Sequence, residues 1–178
     1  MNTLSPVTEK FVLHWGEMGA RWGINRTMAQ IHALLFVSEK PLHAEEICEV
    51  LGLARSNVST SLRELQNWGV VKVVHHMGDR RDHFETLKDV FEMFRTIAVE
   101  RKRREMDPTL SALRECIAEA DPTNSDDIYA RQRMKDLEGF FEMSNSWFEK
   151  VSRMPAGRVR KAMKLGDQVF TLLGLTGD

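Results

Sequence analysis

Six residues within a nine-residue stretch, Arg55, Ser56, Asn57, Ser59, Thr60 and Arg63, carry short or forked hydrogen-bonding side chains. An arginine fork can pair with guanine, asparagine with adenine, and serine or threonine with a base edge or a phosphate. Farther along, Arg80 and Arg81 follow Gly78-Asp79. An arginine projecting from a tight turn can enter the narrow, electronegative minor groove. Asp79 and Asp82 bracket these arginines and have the wrong sign for a phosphate. They are read as buttresses that orient the arginines, against the plainer reading of turn formers. The chemistry open to this set is recognition of duplex DNA, not the making or breaking of bonds.

Such side chains act together only if the chain positions them. Val58, Leu62 and Leu65 fall at helical steps and predict a helix from about Arg55 to Asn67, stopped by Gly69, with its apolar face opposite the polar one. Ala44, Ile47, Val50 and Leu51 predict a short helix from Leu42 onward, closed by Gly52. Ala54 cannot cap the second helix with a side chain, so Ser56 caps it or the helix begins one turn differently. Val70 to Val74 is β-branched and predicts a strand; Met77-Gly78-Asp79 is a turn, and Asp82 to Thr86 is the returning strand with Phe84 facing in. Each piece alone is generic. Helix, turn, helix and hairpin in this order describe a winged helix-turn-helix, in which the first helix props the second across the major groove.

The remainder is mainly helical. Val7, Phe11, Val12, Trp15 and Met18 predict a helix from Pro6 to about Gly19, and Asn25 caps another running from Thr27 to Val37. Asp89 with Glu92 resembles a capping box, opening a helix through Val90, Phe91, Phe94, Ile97 and Ala98. Pro108 either kinks this helix or starts a new one, which continues through Leu110, Leu113 and Ile117. From about Ser125 to Arg153, Met134, Leu137, Phe141, Ser144, Phe148 and Val151 approach a heptad seam, flanked by Phe140 and Trp147. A last amphipathic helix runs from Val159 to Leu173 through Ala162, Met163, Val169 and Phe170. The expected fold class is mainly α: a winged helix-turn-helix with a small β-hairpin wing, and long N- and C-terminal helices forming a dimerisation arm. The expected domains are an N-terminal dimerisation helix (1–24), the DNA-binding winged helix (25–88) and a helical dimerisation and effector arm (89–178).

Composition narrows the function. The net charge of −1 is low for a DNA binder, so segregation of charge must supply any basic face. Glu39, Glu45, Glu46 and Glu49 crowd the first helix of the motif, whereas basic residues cluster at Arg101-Lys102-Arg103-Arg104 and between Lys150 and Lys164. The first cluster is read as a solvated helix face. The second has two readings, flanking DNA or acids across a dimer. No apolar run suits a membrane span and the N-terminus lacks a secretory pattern, so a cytoplasmic protein is expected. Cys48 and Cys116 are expected to be reduced, small core residues. His75, His76 and His83 lack a completing carboxylate or thiolate, so no metal or cofactor site is expected. No phosphate loop, catalytic triad or paired-carboxylate site stands out, which argues against an enzyme. The rival reading is a winged helix used for protein contacts without sequence-specific DNA binding, and the acidic first helix favours it.

Several segments carry a family resemblance. Gly23-Ile24-Asn25-Arg26 precedes the second helix, and Pro41-Leu42-His43-Ala44-Glu45-Glu46-Ile47 opens the motif. Ala54 to Leu62 corresponds to the recognition helix, and Gly78-Asp79-Arg80-Arg81-Asp82-His83-Phe84 to the wing. From about Gly23 to Phe94 the chain resembles the MarR superfamily of winged-helix bacterial regulators, and most closely its GbsR-type branch. The resemblance implies a cytoplasmic homodimer joined by terminal helices and acting as a transcriptional regulator, often a repressor, on a pseudo-palindromic operator. Beyond Phe94 only the general plan of long helices is matched, so no effector site carries over; a small molecule acting in the cleft between module and arm is expected as the mechanism of control. Some GbsR-type regulators answer to quaternary ammonium osmolytes, for which an aromatic box is the expected chemistry. The aromatic residues of this chain, Trp15, Trp22, Trp68 and Trp147 with Phe140, Phe141 and Phe148, are read as core and dimer-seam packing. Trp68 is placed under the wing.

Overall fold

The computed structural model describes residues 4–172, with side chains described through Gly166. The chain forms two compact units, Met1–Ile97 and Ala98–Asp178.

The first unit opens with α1 (Pro6–Arg21) and α2 (Arg26–Val37). Ser5 Oγ accepts the Thr8 N–H at 3.2 Å, and Asn25 Oδ1 accepts the Met28 N–H at 3.2 Å, so each helix begins on a side-chain cap. The two helices pack closely because α1 presents small residues. A Cβ at Gly19 would lie 2.5 Å from the Ala29 Cβ. Helix α2 is the centre of the unit: Met28, Ile31, Leu34 and Leu35 are buried, and it meets α1, α3, α4 and the sheet. Burial of a helix on most of its circumference requires near-continuous apolar residues, which α2 supplies.

Residues Leu42–His43 form a short strand, β1, and not the first turn of the next helix. Leu42 pairs with Phe84 and His43 with His83. The helix α3 (Ala44–Leu51) follows directly, then α4 (Arg55–Asn67), β2 (Val71–Val74) and β3 (His83–Thr86). The sheet is antiparallel in the order β1-β3-β2, with Val73 opposite Phe84 and Val71 opposite Thr86. It is thus the predicted hairpin plus one strand. Ile47 from α3, Val58, Leu62 and Leu65 from α4, and Val70, Val71 and Phe84 from the sheet join α2 in one core, with Val12 of α1. Trp15 and Trp68 pack against that core, while Trp22 is exposed. The first compact unit takes in α1 and the first part of the next helix as well as the winged helix-turn-helix.

That helix, α5 (Val90–Arg101), begins where Asp89 Oδ1 accepts the Glu92 N–H at 2.9 Å. It runs without a break through a π-turn (Lys102–Met106) into α6 (Asp107–Glu119). Pro108 lacks the N–H that an α-helix would offer four residues back, and its ring crowds that carbonyl. The wider turn just before it accommodates both effects, so Pro108 stands in the first turn of α6 while the helical path continues through it.

In the second unit, α7 (Ser125–Ser152) packs on α6 and is followed by α8 (Ala156–Leu172). Leu110 and Ile117 are buried. Arg114 of α6 donates to Glu138 at 3.0 Å and Glu142 at 2.6 Å, and Arg131 Nε donates to the Ile117 carbonyl at 3.2 Å. Met134, Phe141 and Phe148 of the predicted seam are half-buried, whereas Leu137, Phe140, Met143 and Trp147 lie exposed on α7. Both cysteines are free; Cys48 is half-buried beside the core, but Cys116 is exposed and is not the core residue expected. The side chains of Val169 and Phe170, and Leu173 itself, lie outside the described residues. No helix among the described residues is long and apolar enough to cross a membrane.

Candidate nucleic-acid interface

Helix α4 divides its residues cleanly. Val58, Ser61, Leu62 and Leu65 are buried, and Arg55, Ser56, Asn57, Ser59, Thr60 and Arg63 are all exposed. The division follows from helical geometry, since residues three and four apart share a face. The predicted polar set thus occupies one accessible surface over the first two turns. The N-cap position is Ala54, and no side chain caps the helix, so Ser56 does not take that role. Arg55 is not free: its Nη1 pairs with Glu45 Oε1 on α3. This hydrogen bond holds the Glu45 carboxyl below the usual carboxylate range.

The wing turns at Gly78, whose φ of 85° lies in the left-handed region that glycine tolerates best. Its two arginines behave differently. Arg81 folds back: Nε donates to Asp79 Oδ1 at 2.9 Å, Nη2 to Asp79 Oδ2 at 2.6 Å, and its backbone N–H to Asp79 Oδ1 at 3.0 Å. Its Nη1 donates to His43 Nε2 at 2.9 Å. The bonds from Arg81 hold the Asp79 carboxyl far below its ordinary range. Arg80 is exposed and takes part in none of these bonds. Asp79 therefore braces one arginine as read from the sequence, but Asp82 does not brace the other and instead lies 3.6 Å from His75 Nδ1.

The histidines gather at the root of the wing. The ring of His83 stands edge-on to His43 at 5.5 Å and to His76 at 4.7 Å, and its Nδ1 donates to the Arg81 carbonyl at 3.1 Å. Among the described residues no group of histidine, cysteine or carboxylate side chains is placed to hold a metal ion. Sequence reasoning missed His43 and Glu45 as parts of this surface. The only signal was their closeness in the chain to Arg55; nothing in the sequence joined either to the wing.

The Arg101–Arg104 run is a network of internal pairs and not a plain solvated face. Arg101 pairs with Glu105 at 3.1 Å, Lys102 with Asp107 at 2.7 Å, and Arg103 with Glu100 at 2.6 Å. Glu100 is buried, and its hydrogen bonds to Arg103 and Arg104 pull its carboxyl down to about 2.

Residues 22–82 match the MarR family model. Over 98 residues the chain is 28% identical to the HTH-type transcriptional repressor GbsR of Bacillus subtilis strain 168, covering 55% of this chain and 54% of that protein. Over 73 residues it is 22% identical to the HTH-type transcriptional repressor OpcR of the same organism, covering 41% and 40%. The chain thus matches about half the length, or less, of these curated relatives. A solved structure described as a transcriptional regulator superimposes with a TM-score of 0.68 at 19% identity, covering 88% of this chain and 99% of that one, which is a likeness of fold. With its helix order, its three-stranded wing sheet and the match over residues 22–82, that segment of the chain is a winged helix-turn-helix similar to the MarR family.

Proposed function

We propose that this protein is a dimeric, sequence-specific DNA-binding transcriptional regulator that acts as a repressor. The observation that carries the reading is the polar face of α4, where six predicted contact residues are exposed over a buried apolar face. Arg63, Asn57 and Arg55 are the base readers, and Ser56, Ser59 and Thr60 hold phosphates or base edges. Arg80 and Arg81 serve the minor groove beside them. Two copies related by a two-fold axis set their α4 helices in successive major grooves, about one helical turn apart on a pseudo-palindromic operator. Repression is supported by the similarity to two relatives named as repressors. The C-terminal unit supplies the dimer contacts, supported by the exposed apolar residues along α7. Response to a small molecule is part of the proposal. It is supported by an open apolar groove of about 840 Å³ within the second unit, lined by Met106, Met143, Trp147 and Phe148 beside the π-turn.

The test is selection of bound sequences from a random duplex pool with the purified protein near physiological salt. A two-fold symmetric motif with half-sites about one turn apart is expected. Failure of a folded dimer to enrich any motif would favour use of the winged helix for protein contacts, a reading to which the engagement of Arg55 by Glu45 lends weight.

A further inference from the structure

Five charged or titratable side chains connect the two elements that the proposed function assigns to DNA. Arg55, the first residue of α4, pairs with Glu45 Oε1. The other oxygen, Glu45 Oε2, lies 3.0 Å from His43 Nδ1. His43 Nε2 takes the Arg81 Nη1 hydrogen at 2.9 Å, and Arg81 is held in turn by Asp79. We infer that these residues form one hydrogen-bonded chain through which recognition helix and wing set each other's arginines, with His43 as the positioning residue.

The chemistry of the link fixes the state of His43. Arginine only donates, so Nε2 must accept, and a neutral imidazole then carries its proton on Nδ1. That proton faces the Glu45 carboxylate. The competing arrangement has Nδ1 accept the Glu46 N–H, but the separation is longer, at 3.3 Å, and neither partner is charged. Glu46 Oε2 still accepts the His43 N–H at 2.9 Å and lies 3.5 Å from Nε2. The His83 ring on β3 stands edge-on to His43, and His83 Nε2 in turn lies 3.7 Å from Asp79 Oδ2 in the wing. The His43 side chain is only 12% exposed, whereas a fully solvated surface pair contributes little. A second proton on His43 would place an N–H against Arg81 and break the chain. The strand β1 makes the link possible, because its pairing with β3 brings His43 beneath the wing.

The link exists in the free protein; only its use rests on the DNA reading above. Nitrogen-15 NMR of the free protein is expected to show His43 as the Nδ1–H tautomer, and Arg55→Ala is expected to shift the Arg81 Nε–H resonance. His43→Asn keeps an N–H toward Glu45 but removes the acceptor for Arg81. It should abolish that transmission while leaving the folded amide spectrum in place. An Nε2–H tautomer, or an Arg81 signal indifferent to Arg55→Ala, overturns the inference whether or not the protein binds DNA. On duplex DNA, the Arg55→Ala, Arg81→Ala double variant should lose about threefold less affinity than the product of the single losses, and His43→Asn should remove that difference. Losses that multiply in the parent protein also overturn it. A protein that binds no duplex, yet shows the Nδ1–H tautomer and the transmitted shift, retains the link and loses the proposed function.

Discussion

At the scale of single residues, His32 makes the fold sensitive to acid. It is 5% exposed on α2, its Nε2 has no hydrogen-bond partner, and burial lowers its pKa to about 4 from an ordinary 6.5. The folded chain refuses a proton that the unfolded chain accepts. Its contribution to stability is therefore complete above pH 6.5 and is lost as pH falls toward 4, by about 3 kcal/mol in all. Glu100 acts in the adjoining window. Its pKa is lowered from 4.5 to about 2, so its contribution disappears between those values. His32→Leu is expected to flatten the stability curve between pH 6.5 and 4 in urea titrations, and an unchanged slope there would assign the acid sensitivity elsewhere. Ala54→Ser supplies the side-chain cap that α4 lacks, and should raise stability by about 1 kcal/mol. A midpoint at or below that of the parent would mean that the first turn of α4 is satisfied in another way.

At the scale of elements, close helix packing and open helix surface give glycine opposite values. Gly19 lies where α1 meets α2, and an added methyl would meet the Ala29 Cβ at 2.5 Å. Overpacking of this kind costs about 1–3 kcal/mol and outweighs the helix propensity that alanine gains. At Gly139, inside α7, nothing lies within 4 Å of such a methyl. Gly19→Ala should lower the melting temperature, whereas Gly139→Ala should stabilise by up to about 1 kcal/mol. Equal effects of one sign would contradict this account of the α1–α2 contact. A tertiary clamp sits nearby: Lys88 Nζ donates to the carbonyls of Leu35 (2.9 Å), Phe36 (3.2 Å) and Ser38 (2.6 Å) at the end of α2. Lys88→Met leaves these terminal carbonyls without their cation and should cost about 1 kcal/mol in chemical denaturation. The helices themselves were legible from apolar spacing, and the caps at Asn25 and Asp89 from residue type. Strand β1 was not, because two residues show no period, and its extended conformation is imposed by pairing with β3.

At the scale of the whole molecule, the protein must present apolar surface to a second copy if it acts as a dimer. Phe140 (56% exposed), Met143 (66%) and Trp147 (66%) follow one another at steps of three and four residues on α7, and Met143 and Trp147 also line the groove beside the π-turn. The predicted heptad seam mixed two surfaces. Met134, Phe141 and Phe148 turn inward within the unit, and the flanking residues Phe140 and Trp147 turn out. A paired change of Phe140→Glu and Trp147→Glu is expected to weaken self-association in sedimentation equilibrium, with helix content retained. An unaltered association constant would move the dimer contact to another surface. The net charge of −1 gave no sign of a nucleic-acid partner. What matters is local, since Arg55 and Arg81 are held by acids, whereas Arg80 stands clear of these pairs.

By itself the sequence determined the order of helix, turn, helix and hairpin, and the split of α4 into polar and apolar faces. Both are consequences of local period and turn chemistry, which act over a few residues. Only the tertiary structure decided which charges meet. Glu45 with Arg55, and His43 with Arg81, lie 10 and 38 positions apart, and nothing in the pattern of either segment names its partner. The same holds for the passage of a helix through Pro108 by way of a π-turn, and for the face of α7 that is covered. The pairings and the covered face depend on packing between segments distant in the chain, where burial and pairing override local preference, whereas the π-turn answers the local demand of Pro108.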